Sequence, residues 1–176
     1  MAKISIDQLR SLPDYAQVTK WDITFITLPA VGPLGLVVGE ALNLRCESVE
    51  IPKHTNQKFE VMIRGHKTMQ PGLMDYGNSM TLTFTETVDN VLLKLVKGWR
   101  ELIWSSRQGR SFPKKDLEGT LLITMLDNQD NIRAKYTVYG CFLESDDFGT
   151  LDGSTSDAIK PSITLSFDYY VDMFLK

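Results

Sequence analysis

Apolar and polar residues alternate along most of this chain, which is the period-two pattern of half-buried β-strands. Turn-forming Gly, Pro, Asn and Asp residues separate the alternating segments. The predicted strands cover residues 17–28, 42–51, 57–64, 80–86, 120–126, 132–143 and 159–174. On the last of these, Ile163, Leu165, Phe167, Tyr169, Val171 and Met173 would share one face.

The period changes to three and four in one segment, residues 89–106, where Leu92, Val96 and Trp99 fall on one helical face. Asp89 is the predicted N-cap of this helix. Strands with one packed helix predict a mainly β (α+β) fold, an antiparallel β-sandwich or barrel of about seven strands.

Three segments lack a strand or helix pattern. Residues 1–16 are polar and mixed, and predict a flexible N-terminal arm. Residues 29–40 are rich in Gly and Pro, and predict a loop or hairpin tip. Residues 66–79 form a long apolar loop, which is typical of a docking element because such loops are rare in monomers. Its apolar residues are Met69, Leu73, Met74 and Tyr76.

Length and composition indicate one domain, since 176 residues bury a sufficient core without metals or disulfides. The net charge of -3 argues against a protein that binds nucleic acid by neutralising phosphates. We find no membrane-spanning run and no signal peptide, so we expect a cytoplasmic protein without membrane insertion. Cys46 and Cys141 are interpreted as buried thiols.

No group of residues predicts catalysis, a metal site or a cofactor. His54 and His66 lack the spacing of metal ligands, and Gly32, Gly35 and Gly39 do not form a dinucleotide motif. We therefore predict that the chain is not an enzyme and needs no cofactor.

Two segments of opposite charge are candidate patches for contact between subunits or with a partner. Solvated charge runs are the alternative interpretation. The basic residues are Arg107, Arg110, Lys114 and Lys115, and the acidic residues are Asp146, Asp147 and Asp152.

The order of features along the chain resembles the tail tube proteins of T4-like contractile bacteriophages. These features are a first strand, the Leu28-Pro29 turn, a Cys-containing strand ending in Ile-Pro, a Trp-bearing helix and a closing strand. The local likenesses are LRCESVEIP at residues 44–52 and ITLSFDYY at residues 163–170. The resemblance spans residues 21–170.

The resemblance implies a structural virion protein that forms hexameric rings, in which strands of all subunits join into one barrel. The rings would stack into a hollow inner tube inside a contractile sheath and conduct the phage genome. The implied partners are the tail sheath, baseplate, tail terminator and tape measure proteins. The implied location is the virion tail, after assembly in the host cytoplasm.

A lumen through which DNA slides should lack cationic clamps, because each neutralised phosphate adds affinity. Glu60, Asp168 and Asp172 are therefore candidate lumen-facing residues, although alternation fits an ordinary solvent face equally well.

Two other functions remain open at this point. The chain could be a tube initiator or terminator of a baseplate, or the inner tube of a bacterial contractile injection or secretion system. It could also be a small β-barrel enzyme or ligand carrier whose pocket uses Trp21, His66 or Tyr139.

Overall fold

The computed structural model describes residues 5–29, 35–154 and 156–175, and within them the chain is mainly β, as predicted. The helices are α1 (Ile6–Arg10), α2 (Gly35–Arg45), α3 (Val91–Ile103) and α4 (Lys114–Leu117). The strands are β1 (Trp21–Thr27), β2 (Cys46–Val49), β3 (Thr55–Ile63), β4 (His66–Asp75), β5 (Ser79–Phe84), β6 (Gly119–Leu126), β7 (Ile132–Asp147), β8 (Ser162–Ser166) and β9 (Tyr169–Phe174).

One long strand, β7, organises the main antiparallel sheet. The strand order is β1-β6-β7-β8-β5-β2, and β9 also pairs with β7. The first half of β7, up to Tyr139, pairs with β9, and its second half, from Phe142, pairs with β8, whereas β6 pairs along the other edge of β7 as far as Cys141. Gly140 lies between the halves with φ at +68°. The sheet therefore turns a corner at Gly140 and forms two layers, β1-β6-β7-β9 and β7-β8-β5-β2.

The core is formed by apolar side chains from both layers and from α3. Ile123 and Val138 come from the first layer, Leu82 and Leu165 come from the second, and all are fully buried. Trp99 of α3 is buried against them, and its indole N–H donates to the carbonyl of Leu117 over 2.8 Å. The antiparallel, mainly β prediction is thus confirmed, with the sheet bent over a core rather than closed into a barrel.

Residues around α2 were predicted wrongly. A loop was expected at residues 29–40 and a strand at 42–51, but α2 occupies Gly35–Arg45 and the strand is only Cys46–Val49. Residues 30–34 of the predicted loop lie outside the described residues. The helix forms because Leu42 is fully buried and the Asn43 side chain accepts a hydrogen bond from the Ile23 N–H over 2.9 Å. Packing on β1 therefore overrides the local alternation.

The helix predicted at residues 89–106 is present at Val91–Ile103, but its N-cap is Asn90 rather than Asp89. The Asp89 carboxylate instead accepts a hydrogen bond from the Arg45 guanidinium over 3.1 Å. The pKa of the Asp89 carboxyl is lowered. The hydrogen bond from the Thr87 hydroxyl is the larger cause, and the Arg45 guanidinium is a smaller one.

The closing strand predicted at residues 159–174 is two strands, because one straight strand cannot follow β7 around its corner. Strand β8 pairs with the second half of β7, and β9 pairs with the first half. The predicted apolar face is therefore divided. Ile163, Leu165 and Phe167 are buried, whereas Tyr169, Val171 and Met173 are about half exposed.

Replacing Gly140 with alanine should destabilise the domain by roughly 2 kcal/mol or more, combining left-handed backbone strain with a steric clash. An added Cβ would lie 2.3 Å from Oδ2 of Asp168, a carboxylate that also accepts from Lys114 Nζ at 2.5 Å. Gly109→Ala is the matched control, since Gly109 also has positive φ but open space around it. Urea unfolding should show the larger loss for Gly140→Ala, and equal losses would contradict the clash.

Candidate assembly surface

The outer edge of β9 is an open strand edge, because in the described part of the chain β9 pairs with β7 only. The Leu175 N–H donates to the Arg133 carbonyl on the β7 side over 2.9 Å. Since backbone groups alternate in an antiparallel ladder, odd-numbered residues of β9 bond to β7. The N–H and C=O groups of Tyr170, Asp172 and Phe174 consequently point away from the sheet.

The side chains on and after β9 make this edge mainly apolar, with Asp172 the one charged residue among residues 169–175. Val171 is 49% exposed and Phe174 is 67% exposed, and Tyr169, Met173 and Leu175 are also exposed in large part. Proteins that remain monomeric protect such edges with charges, prolines or bulges. An apolar edge with free backbone groups is a site for pairing with another strand.

The opposite edge of the same layer is covered. Strand β1 forms that edge, and its Ile23 N–H is bonded to the Asn43 side chain of α2. The Asn43 amide also donates to Asp22 over 3.2 Å. The two edges are therefore not equivalent, and a contact between β9 of one copy and a different surface of the next would be heterologous.

Strands β3 and β4 form a separate two-stranded hairpin. Their turn is Arg64-Gly65, with positive φ at both residues, as in a two-residue type I′ turn. Of its strand side chains only Val61 is half-buried, and the exposed apolar ones are Phe59, Met62, Ile63, Met69, Leu73 and Met74. Residues 66–75 are thus a strand, and the predicted loop conformation was wrong. Pro71 pairs with Lys58 beside a register shift in β3, and Gly72 lies close to the Gln57 backbone at that shift.

An isolated two-stranded hairpin is only marginally stable in water. This hairpin is anchored at its base, where Tyr170 of β9 contacts the residues that precede β3 and follow β4. The Tyr170 hydroxyl lies 2.6 Å from Nδ1 of His54, and the Tyr170 ring meets the Tyr76 ring edge-on at 5.6 Å.

The predicted docking residues lie on this hairpin, apart from Tyr76. Met69, Leu73 and Met74 are exposed on β4, with Leu73 at 77%. Tyr76 is partly buried and packs against the core. The structure thus provides an exposed apolar strand at these positions, and their docking role stays a prediction.

The three candidate lumen residues lie in three different places. Glu60 is on the hairpin, paired with Lys67 at 2.5 Å. Asp168 is at the sheet corner, paired with Lys114 at 2.5 Å. Asp172 is exposed on β9. Two of the three carboxylates therefore already have a lysine partner within the chain.

Several residues of the predicted basic and acidic patches already have partners within the chain. Lys114 is bound to Asp168, Asp146 is bound to Arg100, and the Arg110 guanidinium lies 5.2 Å from the centre of the Phe112 ring. Arg107 remains beside the exposed Trp104, in a groove on the outer face of α3. Asp147 and Asp152 accept hydrogen bonds from backbone N–H groups of their own loop, and this lowers the pKa of Asp152.

The residues suggested for an enzyme or carrier pocket are not brought together. Trp21 lines an apolar cavity of about 240 Å³ beside β1, whereas Tyr139 stacks on Tyr169 at 5.0 Å near the sheet corner. His66 is exposed at the hairpin turn.

Among the described residues, no cluster of His, Cys, Asp and Glu could hold a metal ion. Burial raises the pKa of the Cys46 and Cys141 thiols to about 12, so both are protonated at neutral pH. A search of the described residues finds no helix long and apolar enough to cross a membrane.

No protein-family model and no curated protein matches this sequence. Solved structures do match. A chain of the anti-feeding prophage cap, described as a tube terminating cap, is 12% identical and superposes with a TM-score of 0.66, covering 94% of this chain and 95% of that one. A chain of the sheath/tube terminator of the extracellular contractile injection system PVC is 13% identical, with a TM-score of 0.63 and coverage of 93% and 99%.

A chain of the PVC sheath-tube complex in its extended state is also similar. It is 13% identical to this chain, with a TM-score of 0.59 and coverage of 98% and 100%. Identities this low establish a common fold and nothing finer. This chain has the fold of the tube and tube terminator proteins of contractile injection systems.

Proposed function

We propose that this chain is the structural subunit of a tube, without catalytic activity, in which hexameric rings stack into a hollow polymer. The observation that carries the proposal is the open apolar edge of β9 on a fold shared with tube-forming proteins. Strands from all subunits would then form one continuous barrel, and the edge that is exposed in the single chain would be paired.

Within a ring, the β9 edge of each copy would bond to a strand of the next copy. Between rings, the exposed apolar residues of the hairpin, Leu73 and Met74 among them, would dock on the adjacent ring. A heterologous contact of this kind either closes into a ring or continues as a helix, and both are tube architectures.

The tube of a contractile phage tail is the assembly that we propose, and it places the protein in the virion after assembly in the host cytoplasm. The phage genome and the tape measure protein would occupy the lumen, without specific DNA binding, which agrees with a net charge of -3. A contractile sheath would surround the outer wall, and baseplate and terminator proteins would contact the two ends.

The groove on α3 is the surface that we propose for the sheath. It combines the exposed Trp104 and Leu93 with Lys97 and Arg107 against one carboxylate, Glu101, so it suits an acidic partner segment with an apolar anchor.

A second candidate function is a different role for a protein of this fold. The chain would form a terminator or baseplate ring, or the tube of a bacterial injection or secretion system. The observation that favours it is the likeness to the tube terminating cap, with a TM-score of 0.66. A terminator would form rings that do not stack on themselves.

Sedimentation velocity over a wide concentration range tests the proposal. We expect a concentration-dependent shift from the 19.9 kDa monomer to ring-sized and larger species. Assembly that stops at rings would favour the terminator, and a species that stops at a dimer would mean that two β9 edges pair with each other. A monomer at all concentrations would overturn the proposal.

A further inference from the structure

Tyr170 belongs to both of the surfaces that assembly would use. Its backbone N–H and C=O are among the groups that point away from the sheet at the open β9 edge. Its side chain contacts the base of the β3–β4 hairpin, at His54 and Tyr76. The same residue therefore links the edge to the hairpin.

The Tyr170 side chain contacts the residue that precedes β3 and the residue that follows β4. His54 precedes β3, and its Nδ1 lies 2.6 Å from the Tyr170 hydroxyl. Tyr76 follows β4, and the two tyrosine rings meet at 80° with centres 5.6 Å apart. Edge-to-face pairs of this geometry stabilise beyond the area that they bury.

Other aromatic rings support Tyr170 from behind. The rings of Tyr136 and Phe167 both lie 6.4 Å from it, and Phe167 is buried in the core. The Tyr170 ring therefore contacts Tyr136 of β7 and Phe167, the residue that follows β8, as well as His54 and Tyr76 at the hairpin base.

We infer that Tyr170 is a positioning residue that couples occupancy of the β9 edge to the orientation of the hairpin. The inference rests on the proposed function, since it assigns an order to assembly. A strand that pairs with β9 orders the Tyr170 backbone, the ordered ring holds His54 and Tyr76, and the hairpin is then fixed in the direction needed for docking. Lateral pairing within a ring therefore precedes and promotes stacking between rings.

Coupling of this kind is reciprocal, so it can be measured in the monomer. His54→Leu removes the hydrogen-bond partner of the Tyr170 hydroxyl at the hairpin base. His54→Asn retains a polar partner there, since its carboxamide can either accept from or donate to that hydroxyl. Tyr170→Phe removes the hydroxyl and keeps the ring, and Tyr169→Phe is the matched control on the other face of the same strand.

Amide hydrogen exchange of the dilute monomer is the measurement. For His54→Leu and Tyr170→Phe we expect about three- to tenfold faster exchange in the hairpin, residues 55–75, and in the β9 amides that bond to β7, as for loss of one hydrogen bond. His54→Asn and Tyr169→Phe should resemble the unmodified protein. Faster exchange in the hairpin alone, or no change in either segment, would overturn the coupling.

Assembly gives the second readout. In Tyr170→Phe, rings should still form and tubes should appear only at higher protein concentration, about three- to tenfold higher. Stacking at the unmodified concentration would overturn the assembly order. If the unmodified protein never assembles, the proposed function fails, whereas the exchange experiment still decides whether Tyr170 links the two elements.

Discussion

Replacing Asp172 with proline will prevent assembly while the monomer stays folded. Asp172 lies on β9 and directs its backbone N–H away from β7, so proline removes a donor that the monomer does not use. The proline ring would also obstruct the approach of a neighbouring strand. We expect the concentration needed for assembly to rise by up to about 100-fold, since each joint would leave a buried carbonyl without its donor at a cost of about 1–3 kcal/mol.

Two variants separate the backbone effect from other effects of this change. Asp172→Ala removes the carboxylate and keeps the N–H, and it should assemble normally. Val171→Pro removes an N–H that bonds to β7, so it should destabilise the monomer itself. Light scattering reports assembly and circular dichroism reports the monomer fold. Normal assembly of Asp172→Pro would show that β9 is not a subunit joint.

Replacing Leu73 and Met74 together with aspartate will block stacking of rings and leave ring formation intact. Both side chains are exposed on the hairpin, so their loss removes no core contact within the chain. Burying each such side chain at a docking surface contributes about 1.5–3 kcal/mol, and an unpaired buried carboxylate adds a further cost. We expect tubes to be absent at concentrations where the unmodified protein is fully polymerised.

The control for this double variant places the same charges elsewhere. Val88 and Leu151 are almost fully exposed outside the hairpin and β9, at 100% and 84%. Val88→Asp with Leu151→Asp therefore makes the same change in net charge and also removes two exposed apolar side chains, and tubes should persist. Tubes from the Leu73 and Met74 variant, indistinguishable from those of the control, would refute the docking role.

Much of the fold was predictable because its strands are buried on one side. Residues 80–84 alternate apolar residues with Thr and lie in β5, and residues 120–126 are an apolar run with Thr at two positions and lie in β6. The apolar spacing around Trp99 predicted α3 for the same reason, since its buried stripe faces the core. Where one face is buried, the period of the sequence follows the structure.

The exceptions arise where distant residues decide the local structure. Helix α2 depends on Asn43 bonding to Ile23 of β1, which local alternation does not reveal. The break between β8 and β9 depends on the corner of β7 at Gly140, which is 28 positions before Asp168 in the sequence.

The candidate assembly surface was only half predictable. The apolar content of residues 66–79 indicated a docking element, although not that it is a strand. The β9 face was predicted to be continuous with the core, because alternation cannot distinguish a core from a surface that another chain would cover. The contact of His54 with Tyr170 joins residues 116 apart, so no local pattern predicts it.

Electron microscopy of the purified protein in negative stain, before and after concentration, would show whether the chain forms tubes through its β9 edge. We expect six-fold rings and hollow tubes that appear as concentration rises, and that are absent from Asp172→Pro under the same conditions. Dispersed monomers at every concentration, or polymers that form equally well from Asp172→Pro, would contradict this expectation.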